Sequence, residues 1–244
     1  MPRYAIFSDV HGNLEALEAF LKHSREQGAE EYLCCGDVVG YGADPAACLD
    51  RVRELCPGRV VLGNHDQAVA TGDATRMNPH ALRAALWTFT QLSPAQREWL
   101  DGLPLRIEVE PDILLVHSSP DRPERWDYLF GFHEARSVAD SLDQRICFLG
   151  HTHVPFAFEL APEGAVIRMT SRHVHLRRDC RYLINVGSVG QPRDRDPRGS
   201  YVLYDTGREV LERFRFSYDI EKAQRKIIEA GLPDFLALRL EGGY

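Results

Sequence analysis

The sequence predicts an α/β fold in which two packed β-sheets lie between outer helices. In the first half of the chain, short apolar runs alternate with amphipathic helical patterns, as in successive βαβ units. From Val154 onward, short strand patterns follow one another, and helical patterns return only near the end. No linker-like segment separates the two halves, so we expect a single domain over residues 1–244.

The first half contains three predicted strands, each followed by a polar turn, at residues 3–7, 31–35 and 59–62. One helix should begin after Asn13, whose side chain can cap it, and end at Gly28. A second should begin at Pro45, with Asp44 as its N-cap. Asn-Pro at residue 78 and Ser-Pro at residue 93 predict two more capped helices.

The second half is richer in strands. Residues 105–109 and 113–117 flank a Glu-Pro-Asp turn and predict a hairpin, and a helix is expected near residues 134–142. Further strands are expected at 146–149, 156–160, 165–169, 182–186, 200–205 and 211–216. Helical patterns at 219–231 and 233–240 close the chain.

Composition limits the function classes. The net charge of −7 disfavours non-specific binding to the phosphate backbone of nucleic acids, so the sequence carries no strong nucleic-acid-binding signal. No apolar run is long enough for a membrane span, and the first residues lack the pattern of a signal peptide, so we expect a cytoplasmic protein. The six cysteines form no CxxC pair, and we expect reduced thiols in the core. No feature of the sequence predicts a particular oligomeric state.

One segment, residues 168–181, is strongly basic and lies between strand patterns. It is more typical of a solvated hairpin or loop than of a binding arm. His173 and His175 within it have the spacing of His151 and His153, but no glycine turn precedes them, and we expect them at the surface.

Polar residues follow five apolar runs and suggest a common site. Because the carboxyl ends of parallel strands meet at one edge of a sheet, the turns that carry these residues should converge. The candidates are Asp9, His11, Asp37, Asn64, His117, His151 and His153.

Imidazole mixed with carboxylate favours Mn, Fe, Zn, Co or Ni over the all-oxygen sites of Mg²⁺ and Ca²⁺. Seven candidate ligands exceed what one catalytic metal usually takes from a protein, about three, so two ions fit better. Asp37, on a flexible glycine turn, could bridge them. Two such ions with few carboxylates leave a cationic pocket, which suits a phosphate ester.

In chain order these motifs read "DVH", "GD", "GNHD", "LLVH" and "GHTH". The series resembles the signature of the calcineurin-like metallophosphoesterases, and "INVGSVGQPRD" looks like the bacterial and archaeal subgroup related to diadenosine tetraphosphatase. The resemblance implies a four-layer αββα sandwich of two packed, mostly mixed β-sheets flanked by helices. Two departures, Ser118 where glycine is usual and Val186 where proline is common, remove no candidate ligand.

The resemblance also implies a role for each matched position. Asp9, His11 and His153 would hold one divalent metal, favoured as Mn, and Asn64, His117 and His151 would hold a second. Asp37 would bridge the two. His65 would act as proton donor or stabilise the transition state, and Asp66 would orient its ring.

The implied function is hydrolysis of small nucleotide or related phosphate esters by a metal-bridging hydroxide. A phosphodiesterase is favoured because His65 would help the poorer leaving groups of diesters. The alternatives are a phosphomonoesterase or protein Ser/Thr phosphatase and, from another class, a catalytically silent protein-binding scaffold. A metal-dependent amidohydrolase is disfavoured, because it would have an H-x-H pair after the first strand.

Further candidates surround this set. Arg193 could bind a second phosphate group, or instead pair with Asp194 or Asp196. Tyr41, Trp126 and Tyr128 could stack on a base or aryl group, although aromatic residues more often pack in the core or on loops.

Overall fold

Two mixed β-sheets pack face to face in the computed structural model, which describes all 244 residues, Met1–Tyr244. The strands are β1 (Arg3–Phe7), β2 (Glu31–Cys34), β3 (Arg106–Glu110), β4 (Ile113–Val116), β5 (Ile146–Leu149), β6 (Phe156–Leu160), β7 (Val166–Arg168), β8 (His173–His175), β9 (Arg181–Asn185), β10 (Gly199–Asp205) and β11 (Val210–Phe216). The first sheet has the order β2-β1-β10-β11-β8, and the second has the order β3-β4-β5-β9-β6-β7. The pairs β1–β2, β4–β5 and β5–β9 are parallel, and the other neighbours are antiparallel.

Eight helices cover the sheets. They are α1 (Leu14–Glu26), α2 (Pro45–Leu55), α3 (Asn64–Thr71), α4 (Pro79–Gln91), α5 (Pro94–Asp101), α6 (Phe132–Ala139), α7 (Ile220–Glu229) and α8 (Asp234–Gly242). Asn13, Asn78 and Ser93 cap α1, α4 and α5 through their side chains, as predicted. None of these helices is both long and apolar enough to cross a bilayer.

Alternation along the strands builds the four predicted layers. In β1, Tyr4 and Ile6 face the space between the sheets, where they join Leu115 and Phe148 of the second sheet. Ala5 and Phe7 face the opposite way and pack with α1 and α2, while the outer face of the second sheet packs against α6. The six cysteines are buried and unpaired, as expected from their spacing.

One predicted strand is absent, and two other local expectations gain detail. Residues 59–62 form no strand, because only Val60 pairs, in a single bridge to Cys34. Asp44 occupies the N-cap position of α2, as predicted, although its carboxylate makes no capping hydrogen bond and accepts one from Lys226 of α7. The basic segment is mostly exposed, as expected, and contains one short strand that was not predicted, β8, which pairs with β11 of the first sheet.

Candidate metal centre

The seven candidate residues lie together at one end of the parallel strands. Asp9 and His11 follow β1, Asp37 follows β2, and His117 follows β4. His151 and His153 follow β5, and Asn64 is the first residue of α3. All of them except Asn64 are at least 95% buried. The sequence predicted the turns but missed α3, whose first turn carries Asn64, His65 and Asp66.

The backbone of these turns is unusual. Asp9, His11, Asp37, His151 and His153 all have φ between 51° and 66°. Such left-handed conformations cost non-glycine residues on the order of 1–3 kcal/mol each and concentrate at functional sites. Five strained positions in one cluster indicate that the fold holds these side chains in fixed directions.

Backbone hydrogen bonds between turns hold the strained conformations. The amides of Asp9 and His11 donate to the carbonyls of Gly36 and Asp37, at 2.9 and 3.0 Å. On the other side, the amide of Gly150 donates to the carbonyl of His117 at 3.0 Å. The turns therefore support one another rather than moving separately.

Each carboxylate is fixed by one oxygen and presents the other to the centre. Asp9 Oδ2 accepts the backbone N–H of His151 at 3.1 Å, and Asp37 Oδ1 accepts that of His65 at 2.8 Å. Asp9 Oδ1 is left buried without a hydrogen-bond partner, 3.0 Å from His153 Nε2. Asp37 Oδ2 lies 3.3 Å from His117 Nε2 and 3.6 Å from His11 Nε2.

Each of the four histidines is likewise fixed by one ring atom and presents the other to the centre. One ring nitrogen of each lies within hydrogen-bond distance of a backbone carbonyl: Val39 for His11 at 3.1 Å, Cys35 for His117 at 2.7 Å, Trp126 for His151 at 2.9 Å and Gln191 for His153 at 2.6 Å. A carbonyl only accepts, so that nitrogen carries the proton, and the other nitrogen presents a lone pair to the centre.

The inward atoms form two groups that could each hold a metal ion. Asp9, His11 and His153 make one, Asp37, His117 and His151 make the other, and within each the ligand atoms lie within 4.8 Å of one another. Asn64 Oδ1 lies 3.3 Å from His117 Nε2, beside the second group.

The donor set fits two divalent ions of the transition-metal type. Lone pairs face one another at 3.1 Å between His11 and His153 and at 3.2 Å between His117 and His151. Such crowding of acceptors, together with the unpartnered Asp9 Oδ1, is unfavourable unless a cation lies among them.

Electrostatics in the cluster favour a charged Asp37 and neutral imidazoles at His151 and His153, whereas the Asp37 carboxylate favours the protonated form of His117. Burial by itself would raise the pKa of Asp37, but His117 and His65 hold that pKa well below its usual range. Burial and Arg193 lower the pKa of His153 to about 3, and burial and His117 lower that of His151 to about 4. Burial alone would also lower the pKa of His117, but the Asp37 carboxylate raises it to about 9.

His65 lies beside the two groups and belongs to neither. Its ring packs against His11 and Tyr41, with centroids 4.9 and 4.3 Å apart, and its Nδ1 is buried without a partner. Gly40, with φ of 89°, lets the chain pass this ring, because a Cβ there would lie 2.6 Å from His65 Nδ1.

The expected role of Asp66 needs correction. No hydrogen bond joins Asp66 to the His65 ring; its carboxylate instead accepts the backbone N–H groups of Val39 and Gly63, at 3.1 and 3.3 Å. Burial and the nearby Asp37 raise its pKa to about 7. Asp66 therefore ties the start of α3 to the turn after β2, and the His65 ring is positioned by its contact with Tyr41.

Arg193 pairs with neither of its neighbouring carboxylates. Asp194 pairs with Arg215, and Asp196 pairs with Arg198. Arg193 donates instead to Gln191 Oε1 at 2.8 Å and to the Tyr41 hydroxyl at 3.4 Å.

Two cavities flank the centre. The smaller cavity, of about 330 Å³, is lined by Tyr41, Arg193 and Arg239. The sequence did not point to Arg239. The larger cavity, of about 530 Å³, is lined by Asn64, His151 and Trp126, among others. Tyr128 lines both and stacks on His151, with centroids 4.1 Å apart and planes 13° from parallel.

Comparisons with known proteins agree with this geometry. Residues 3–209 match the calcineurin-like phosphoesterase superfamily domain. The chain is 38% identical over 242 residues to an uncharacterized protein of Methanocaldococcus jannaschii, an alignment that covers 97% of this chain and 96% of that protein.

Two crystal structures are similar over nearly the whole chain. A metallophosphoesterase from Sphaerobacter thermophilus is 37% identical, with a TM-score of 0.87 over 99% of this chain and 100% of that one. A hypothetical protein from Pyrococcus horikoshii OT3 shares the fold at 20% identity, with a TM-score of 0.80 over 100% of this chain and 99% of that one.

Proposed function

Because the chain belongs to the calcineurin-like phosphoesterase superfamily, we propose that it is a phosphodiesterase that uses two divalent transition-metal ions to hydrolyse small nucleotide or related phosphate esters. Asp9, His11 and His153 hold one ion. Asn64, His117 and His151 hold the other, with Asp37 shared. Among the ions that a mixed imidazole and carboxylate set can bind, namely Mn, Fe, Zn, Co and Ni, we favour Mn²⁺.

The observation that carries the proposal is the position of Asp37. Its Oδ2 atom lies within 3.6 Å of an inward histidine nitrogen from each group, so one carboxylate oxygen is available to both ions. Bound divalent ions would supply Lewis acidity, which activates a water molecule and neutralises charge on the phosphate. The chain's own contribution is to hold both carboxylates and four imidazoles in fixed directions before substrate arrives.

His65 supplies the proton-transfer group in this proposal. It is buried beside His11, is kept out of both metal groups, and is braced by Tyr41. From this position it donates a proton or hydrogen bond to the leaving oxygen of the ester. Arg193 binds the substrate from the side of the smaller cavity.

The two cavities support a diester over a monoester. A phosphodiester has two organic substituents, and the centre has a cavity on each side, with Tyr128 between them. A phosphomonoester, or a phosphorylated serine or threonine, needs only one. A silent protein-binding scaffold has no need of the inward lone pairs.

The first test separates diester from monoester activity. After chelation and reconstitution with Mn²⁺, Zn²⁺ or Ni²⁺, we expect higher kcat/KM for bis-p-nitrophenyl phosphate than for p-nitrophenyl phosphate, and no hydrolysis without metal. A preference for the monoester would favour the phosphatase alternative, and absence of both metal binding and hydrolysis would favour the scaffold.

The second test concerns His65. In His65→Ala we expect kcat to fall by ~10²–10⁴ for a diester with a phenyl leaving group, and by less for p-nitrophenyl, whose leaving group needs little protonation. Metal content should stay at the wild-type value. His133→Ala, an exposed histidine on α6, is the matched control. An equal loss on both leaving groups would contradict the assigned role.

A further inference from the structure

The smaller cavity beside the metal centre has an unusual charge. It is lined by two arginines, Arg193 and Arg239, and contains no aspartate or glutamate. On a chain of net charge −7, a concave site with two cations and no carboxylate is a specific feature.

Neither arginine forms a salt bridge with an aspartate or glutamate side chain. The carboxylates nearest to Arg193 in sequence pair with other arginines, and its Nε is buried without a partner. Arg239, on α8, donates from Nε to the main-chain oxygen of Tyr244, the last residue of the sequence, and makes no salt bridge with an aspartate or glutamate side chain. Bringing a guanidinium group such as that of Arg193 out of water without a carboxylate partner costs free energy that a bound anion would offset.

Both guanidinium groups gather around one ring. Their Cζ atoms lie 5.7 Å (Arg193) and 6.0 Å (Arg239) from the Tyr41 ring centroid. Burial and the charge of Arg193 lower the pKa of Arg239 to about 10, which still leaves it protonated near neutral pH. Both guanidinium groups therefore face the same ring and the same cavity in their charged form.

The cavity adjoins the metal centre. The Tyr41 ring that contacts both arginines also packs on His11, with centroids 4.7 Å apart. The backbone N–H of Arg193 donates to the carbonyl of His153 at 3.3 Å. A substrate whose reacting phosphate lies at the metal centre can therefore reach the arginines with its next few atoms.

Aromatic surfaces line the remaining walls. His80 of α4 stacks on Phe235 of α8, with centroids 5.0 Å apart and planes 26° from parallel. Tyr128, at the border with the other cavity, is 48% exposed. These surfaces suit an organic group attached to the anion.

We propose that the cavity between Arg193 and Arg239 is an anion subsite that binds a second phosphate group of the substrate, away from the phosphorus that reacts. This subsite rests on the proposed function. It narrows the substrate class to organic phosphate esters that carry a further phosphate, as nucleoside polyphosphates do. Arginine forks bind phosphate oxygens in pairs, and two of them around one site select a doubly charged group over a neutral one.

Binding of inorganic pyrophosphate to the full chain after chelation tests the subsite without catalysis. We expect Arg193→Gln and Arg239→Gln each to weaken pyrophosphate binding about tenfold in titration calorimetry, because a charge-assisted pair is lost. Arg239→Lys keeps the positive charge but not the forked guanidinium group. Its affinity for pyrophosphate should therefore lie between those of the wild type and Arg239→Gln. Arg225→Gln, an exposed arginine of α7 without an ion pair, should bind as the wild type does.

Kinetics on the metal-loaded protein give a second readout. In Arg239→Gln we expect KM for the p-nitrophenyl ester of a nucleoside 3′,5′-bisphosphate to rise by about tenfold more than KM for bis-p-nitrophenyl phosphate. Equal pyrophosphate binding in all variants would overturn the subsite, even if esters are hydrolysed. Variant-dependent binding with no hydrolysis of any ester would leave the subsite standing and overturn the proposed function.

Discussion

The backbone N–H of His151 donates to the Oδ2 atom of Asp9 across 3.1 Å, although the two residues lie 142 positions apart. This bond joins the turn after β1 to the turn after β5 and directs the other oxygen of Asp9 to the centre. Gly150 makes the approach possible, because a Cβ there would lie 2.4 Å from Asp9 Oδ2 and 2.0 Å from Ser8 Oγ.

Gly150→Ala should therefore damage the metal centre without removing a ligand. We expect Mn²⁺ affinity to fall by ~10–100-fold, as for other changes that misdirect a ligand, and the free energy of unfolding to fall by about 1–3 kcal/mol from the clash. Metal titration and urea unfolding measure the two effects. Gly102→Ala is the control, since its Cβ would meet nothing closer than 3.5 Å. Unchanged Mn²⁺ affinity in Gly150→Ala would show that this contact does not position Asp9.

Asp37→Asn tests whether one carboxylate serves both ions. The substitution keeps the shape of the side chain but removes the negative charge near His11 and His117. We expect at most one Mn²⁺ per chain by elemental analysis, against two in the wild type, because the shared ligand is lost. Asp50→Asn, an exposed aspartate of α2 paired with Arg53, should retain the wild-type metal content. Two tightly held ions in Asp37→Asn would contradict the bridging role.

The sequence was sufficient to predict the four layers, most elements and the set of residues at the strand ends. Alternating apolar patterns and capping residues such as Asn13 and Ser93 act locally, so they can be recognised without a structure. The convergence of the turns follows from the parallel pairing of β1 with β2 and of β4 with β5.

What the sequence could not predict depends on distant contacts. Residues 59–62 look like a strand, but Arg59 to Leu62 pairs with β2 only at Val60. The carboxylate of Asp66 is drawn to backbone amides rather than to the adjacent ring. Arg239 reaches the cavity from the last helix, and nothing in its local sequence distinguishes it from a surface arginine.

The last prediction concerns stability and the attachment of α7. Glu15 of α1 is 5% exposed at its side chain, and its Oε1 atom lies 3.0 Å from Lys222 Nζ and 2.6 Å from Lys226 Nζ. Burial by itself would raise the pKa of Glu15, but the two lysines hold it below the ordinary value of 4.5. The Glu15 carboxylate therefore binds a proton less readily in the folded state than in the unfolded state.

Glu15→Gln should consequently destabilise the protein in a pH-dependent way. A carboxylate whose pKa is lowered by folding contributes fully above the unfolded pKa, and the contribution is lost as pH falls through the folded pKa. We expect Glu15→Gln to lose roughly 1–3 kcal/mol of unfolding free energy at pH 7, and the difference from wild type to shrink as pH falls below 4.5. Urea unfolding of both proteins between pH 7 and pH 3.5 measures this difference in free energy. Glu18→Gln, at an exposed pair with Arg51, should cost less than ~1 kcal/mol at any pH. A constant difference for Glu15→Gln between pH 7 and pH 3.5 would mean that its charge does not contribute to holding α7, because only a charge-dependent contact is lost on protonation.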